Sequence, residues 1–178
     1  INQDIKIYLN VDEELIFQEQ ELSSKYNLYG MAEREYISSS MTIEKEIQHI
    51  KDYVDLQQER LAQKIRISLS TDIDDPTQKL SPLLLIGFLE NAFKYTSILK
   101  GQNHKIDVDL QLKNKQLNFF CCNPFNMNFI QELDVDWKES GIGLQNTRQR
   151  LELLYPQKYL LEIKSEAAFF KVKLKISL

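Results

Sequence analysis

Glycine is scarce in this chain, with 5 in 178 residues, and there are only 2 cysteines, 2 histidines and 4 prolines. Cys121 and Cys122 are adjacent, and successive strand residues point to opposite faces, so they are poorly placed to bridge one another. With His49 and His104 far apart, cysteine and histidine make no recognisable zinc-binding pattern. A reduced, cytoplasmic setting is the simplest expectation. No apolar run approaches the roughly 18–20 residues of a membrane span; the longest, Pro82 to Leu89, reads as a buried helix face. Ile1-Asn2-Gln3-Asp4 lacks the basic start and apolar core of a signal peptide. The chain begins without Met, which fits a piece of a longer, membrane-tethered protein. Excess positive charge is missing too: the formal net charge is -4, which argues against a general nucleic-acid grip. No repeat or low-complexity tract is evident.

What is present is an ordinary globular composition, 43% hydrophobic and 27% charged, in two regions of different character. Residues 11–63 are polar, glycine-poor and helical in pattern. Ile5 to Leu9 alternates like a short strand, and Asp12 to Met31 is a weak helical stretch. From Thr42, an N-cap with acids following, Ile43, Ile47, Ile50, Val54 and Leu61 form a helical stripe. From Lys64 the period becomes two. Ile65 to Leu69 reads as a strand, Asp74-Asp75-Pro76 as a turn, and Ser81-Pro82 as the start of a helix reaching Ser97. Lys105–Lys113 and Leu117–Cys122 are strands joined at Asn114-Lys115. Residues 123–140 read as a long loop. A helix is expected from Gly143 to Leu154, ended before Pro156, then a hairpin of Tyr159–Ser165 and Phe169–Leu178. This order gives an α/β fold: a two-layer sandwich with a mixed sheet and helices on one face, preceded by a helical segment.

Two segments carry chemistry. Leu89-Glu90-Asn91-Ala92-Phe93-Lys94-Tyr95-Thr96 puts a carboxylate, an amide and an ammonium on one helix, with Glu90 and Lys94 four apart. A solvated Glu–Lys pair explains those two residues as well as a ligand does. The strongly apolar helix around them makes an embedded Glu-Asn costly unless something polar sits opposite. Gly141-Ile142-Gly143-Leu144 holds two of the five glycines and reads as a turn opening a helix, where free N–H groups and the helix field suit an anion. Taken singly, a Gly-x-Gly is more often a plain loop-to-helix turn. Together the segments suit a magnesium nucleoside triphosphate: an oxygen ligand for the metal, a cation for phosphate, and N–H groups at a helix start. Arg148 and Arg150 follow, facing either solvent or phosphate.

Glu90-Asn91-Ala92-Phe93-Lys94-Tyr95-Thr96 resembles the N box of two-component sensor histidine kinases, in the GHKL ATPase superfamily. Gly141 to Asn146 with Arg148, Arg150, Leu151 and Tyr155-Pro156 resembles their second glycine box. Glu46-Ile47 through Tyr53 to Leu61 resembles the linker that precedes the ATP domain in LytS-like kinases. These separated segments stand in family order, and the resemblance runs from about residue 22 to the end. The resemblance implies residues 1–63 as the end of a dimerisation region and 64–178 as an ATP-binding catalytic domain. It also implies ATP and magnesium as cofactors, a homodimer through the helical region, and a response regulator as partner. It implies magnesium on Asn91, phosphates near Lys94 and Tyr95, a polarising or base-like catalytic carboxylate at Glu90, and a lid that closes through Gly141, Ile142, Gly143 and Leu144.

The chain departs from the family pattern in two places. The family's adenine-anchoring Asp-x-Gly-x-Gly is replaced by Phe120-Cys121-Cys122-Asn123-Pro124-Phe125, with Cys122 falling in the Asp place. A thiol is a weak acceptor, so adenine recognition is expected to be weaker or to pass to Asn123. The family's phosphoacceptor motif, Pro-His-Phe-Leu-Phe-Asn, is missing, and His49 and His104 are expected on solvated surfaces. The alternatives are a degenerate nucleotide-binding or regulatory module with an impaired purine pocket, and a helical interaction domain whose motifs are coincidental.

Overall fold

The computed structural model describes residues 40–61, 64–101, 103–126, 137–166 and 168–178. The strand expected at Ile5–Leu9 and the helix expected over Asp12–Met31 lie outside these. Residues Ser39–Leu178 form a single compact unit.

The elements run β1 (Met41–Thr42), α1 (Ile43–Arg60), β2 (Ile65–Ile73), β3 (Lys79–Leu80), α2 (Ile86–Ser97), β4 (His104–Lys113), β5 (Gln116–Pro124), α3 (Trp137–Leu154), β6 (Tyr159–Glu166) and β7 (Phe169–Ser177). Five strands form one sheet in the order β2-β4-β5-β7-β6, and β1 and β3 pair separately. β2 and β4 are parallel, while the remaining neighbours are antiparallel, so the sheet is mixed. Asn114 and Lys115 both take positive φ, 51° and 63°, as a two-residue hairpin turn of the twist-matching hand requires.

Alternation decides which sheet face carries the core. On β5, Leu117, Phe119, Cys121 and Asn123 are buried, and the residues between them are partly exposed. The buried face lies under α2, where Phe88 meets Phe119 with ring centroids 5.7 Å apart. Ile106, Val108, Leu110 and Leu112 of β4 and Val172, Leu174 and Ile176 of β7 extend the same apolar layer. Helix α1 begins as its sequence predicts: the Thr42 side chain accepts the Lys45 N–H, and Glu44 and Glu46 stand in the first turn. Its buried stripe of Ile43, Ile50, Tyr53 and Val54 packs into the same unit as the sheet, with Tyr53 edge-on to Phe93 of α2 at 5.8 Å.

Two helix starts differ from the sequence expectation. α2 begins at Ile86 rather than Ser81, because Pro82–Leu85 are turn residues and Leu83 is left-handed at φ 52°. α3 begins at Trp137, so Gly141 and Gly143 lie inside a helix rather than in a turn that opens it, and the last residues of the expected loop are helical. Glycine tolerates a turn but does not impose one, and each glycine costs a helix interior only about 1 kcal/mol.

Candidate functional site

The site is built around α2. Asn91 is 8% exposed, and its Nδ2 donates to the Gly87 carbonyl at 2.7 Å. That bond occupies the amide nitrogen and leaves Oδ1 as the atom with which Asn91 could hold a hard cation. Glu90 and Lys94 are exposed, on the solvent side of a helix whose other residues are mostly buried. Tyr95 is buried, set edge-on to Phe125 at 6.2 Å, and Phe125 in turn packs on Phe170 at 5.6 Å. The Tyr95 ring is therefore part of a small aromatic cluster at the end of the sheet.

α3 runs antiparallel to α2, as two contacts show. A Cβ built on Gly87 would stand 2.8 Å from Thr147 Oγ1, so the helices touch where only a glycine fits. Toward the C-terminal end of α3, Arg150 Nη2 donates to the Pro82 carbonyl at 2.7 Å and to Ser81 Oγ at 3.2 Å, before α2 begins. One turn onward from Gly87 is Asn91, and one turn back from Thr147 is Gly143. Both lie on the same side of the helix contact. Leu144, next in the chain, is half-buried. Arg150 thus binds the segment before α2, a partner that is neither of the solvent and phosphate alternatives.

The sheet sorts the two purine-side candidates by face. Cys122 lies on the face away from the helices, partly exposed, while Asn123 faces the helix layer at 1% exposure. Of the two candidates, Asn123 is therefore the one that faces the helix layer. Its Nδ2 donates to the Pro124 carbonyl at 2.8 Å, which leaves its Oδ1 as an acceptor. Burial pushes the Cys122 thiol above its usual range, opposed by Lys171. Burial, with Cys122 and Asp107 adding to it, takes Cys121 up to about 12. Neither thiol is a ready nucleophile.

Sequence reading missed the group that shapes the start of α2. Helix α2 has no side-chain cap of its own and no acid in its first turn. Glu46 of α1, fully buried, supplies both: Oε2 accepts the Leu83 N–H at 2.8 Å and Oε1 accepts the Leu85 N–H at 3.1 Å. Tyr155 Oη accepts the Ser81 N–H at 2.8 Å. Burial raises the Glu46 carboxyl to about 7, against the lowering effect of these N–H groups and of Arg150. Nothing in local spacing marks this, since Glu46 reads as one more acid in a first turn. At the other end of α2, Lys64 Nζ donates to the Ser97 carbonyl at 2.8 Å, suiting the negative end of a helix. His49, expected in solvent, is half-buried with Nδ1 shielded and without a hydrogen-bond partner. His104 is half-buried, with Nε2 3.1 Å from the Lys100 carbonyl.

No family model matches the chain, and no curated protein matches it at a significant level. Solved structures do match. The nucleotide-free catalytic domain of histidine kinase ThkA aligns over 78% of this chain and 94% of its own, with TM-score 0.52 and 14% identity. The Acinetobacter baumannii histidine kinase AdeS aligns over 92% of this chain and 77% of its own, with TM-score 0.54 and 11% identity. The fold is that of a histidine kinase catalytic domain. The kinase domain of a blue-light-activated histidine kinase from Erythrobacter litoralis agrees, with TM-score 0.54, 15% identity, and 89% of this chain and 70% of that one covered. At these identities the likeness concerns the fold, and site chemistry must be argued from the residues themselves.

Proposed function

We propose that this chain is the ATP-binding catalytic region of a LytS-like two-component histidine kinase, with residues 1–63 at the end of its dimerisation region. The observation that carries this reading is the placement of Asn91. A buried amide, its nitrogen already satisfied, sits on a helix over a mixed sheet of histidine kinase type, beside the antiparallel helix that carries Gly141 and Gly143. The chemistry magnesium would supply here is positive charge against the triphosphate.

Asn91 would hold the metal through Oδ1, and the exposed Lys94 would reach the phosphates. Glu90, also at the solvent side, would polarise or accept a proton from the attacking group. Tyr95 acts from within the aromatic cluster by fixing the end of α2. Asn123 would receive the adenine amino group through its carbonyl oxygen, in place of a carboxylate. Gly141, Ile142, Gly143 and Leu144 would border the triphosphate as the covering segment. The γ-phosphoryl would pass to a histidine on a dimerisation helix and then to an aspartate of a response regulator, with the homodimer formed through the helical region in the cytoplasm.

The test is a thermal-shift titration with Mg-ATP. Ligand at about 100 times its Kd adds roughly 2.7 kcal/mol to the folded state, and a shift that vanishes in Asn91→Ala supports the reading. A wild-type melting temperature indifferent to millimolar Mg-ATP and Mg-ADP would favour the degenerate regulatory module, the second reading that the loss of the anchoring carboxylate raises.

A further inference from the structure

One buried ionisable group takes no part in the chemistry above. Glu46 belongs to α1, yet both its oxygens bond to the chain that leads into α2. The segment it holds, residues 81–85, is gripped from a second side by α3 and the residue that follows it: Arg150 on the Pro82 carbonyl and Ser81 Oγ, and Tyr155 on the Ser81 N–H. This segment includes a left-handed leucine, Leu83 at φ 52°, a conformation that needs outside support. Arg150 and Tyr155 are the charged and titratable groups that face Glu46 from that side, and His49 stands one turn along α1 itself.

From Ile86 onward α2 is a regular helix, in contact at Gly87 with Thr147. Asn91 is bonded to that same glycine's carbonyl. A displacement at residues 83–85 is therefore passed along the helix axis rather than absorbed in a loop.

We propose that Glu46 is a positioning residue: its carboxylate makes the start of α2, and with it Asn91, follow the position of α1. The proposal rests on the reading of Asn91 as the metal-side ligand for its meaning in signalling, but its geometry stands without nucleotide. A movement of α1, the part of the chain that resembles the kinase linker, would thereby reach the nucleotide site through two hydrogen bonds.

The experiment follows the amide resonances of Leu83 and Leu85 and the side-chain NH2 of Asn91 in the isotope-labelled chain, without ligand, through a pH titration. Expected is a common midpoint near pH 7 for all three, shared by the Glu46 carboxyl carbon and abolished in Glu46→Gln. Leu83 and Leu85 titrating while Asn91 stays still would overturn the proposal, as would an Asn91 titration that survives Glu46→Gln. Should that variant fail to fold, the wild-type carboxyl carbon alone decides, since a midpoint different from Asn91's overturns the proposal. A second arm measures Mg-ATP affinity, expected to fall roughly 2- to 30-fold in Glu46→Gln. A wild-type chain that binds no Mg-ATP overturns the proposed function, and the ligand-free titration still decides the role of Glu46.

Discussion

Gly87 shows how a single missing methyl can organise a site. Alanine is ordinarily about 1 kcal/mol better than glycine inside a helix, but here its Cβ would meet Thr147 Oγ1 at 2.8 Å. Gly87→Ala is therefore expected to lower the urea midpoint rather than raise it, and Gly87→Ala combined with Thr147→Ala to recover most of the loss. An increase in the single variant would mean that the helices separate at little cost. Glu46 predicts a pH dependence of definite sign. Its folded pKa of about 7 lies above its ordinary 4.5, so the folded state binds the extra proton between these values. The corresponding stability is full below pH 4.5 and is lost as pH rises through 7, about 3 kcal/mol in all. Denaturation curves from pH 4.5 to 8 should show this decline in the wild type and a flatter profile in Glu46→Gln. These residues were the hardest to read from sequence: an acid in a first turn and a lone glycine in a helix are each common, and their meaning lies in partners far along the chain.

Among the elements, the strands were the most legible. Period-two alternation survives in β4, β5 and β7 because one face of each is buried and the other is not, and the Asn114-Lys115 turn was marked by its own chemistry. Lys115 occupies φ 63°, where glycine is at ease and a lysine is not. Lys115→Gly is expected to stabilise the protein by about 0.5–1 kcal/mol, read as a rise in thermal midpoint with the fold unchanged. The helix starts were less legible, for different reasons. For α2 the capping group comes from 37 residues away, so no local signal exists and Ser81-Pro82 was taken as the start. For α3 the glycines read as punctuation, although the helix passes through them. The choice between Cys122 and Asn123 has the same root: motif spacing counts residues, while a pleated strand sorts them by face, and Asn123 is the one on the helix side.

For the molecule as a whole, the mixed sheet and its order agree with histidine kinase catalytic domains, and the sequence had already indicated that architecture through strand and helix order. The catalytic boundary drawn after residue 63 has a cost in these terms. The fragment 64–178 would begin β2 intact but would carry no Glu46, no Ile43 and no Ile50, all of which are fully buried. It is expected to melt at least several degrees below 39–178, with the amides of Leu83 and Leu85 exchanging freely; equal melting and protection would show α1 to be dispensable. Helix α2 thus begins on borrowed support. Its first turn belongs as much to the neighbour that precedes the sheet as to its own stretch of chain, and neither can be inherited, shuffled or expressed alone without leaving the other unfinished.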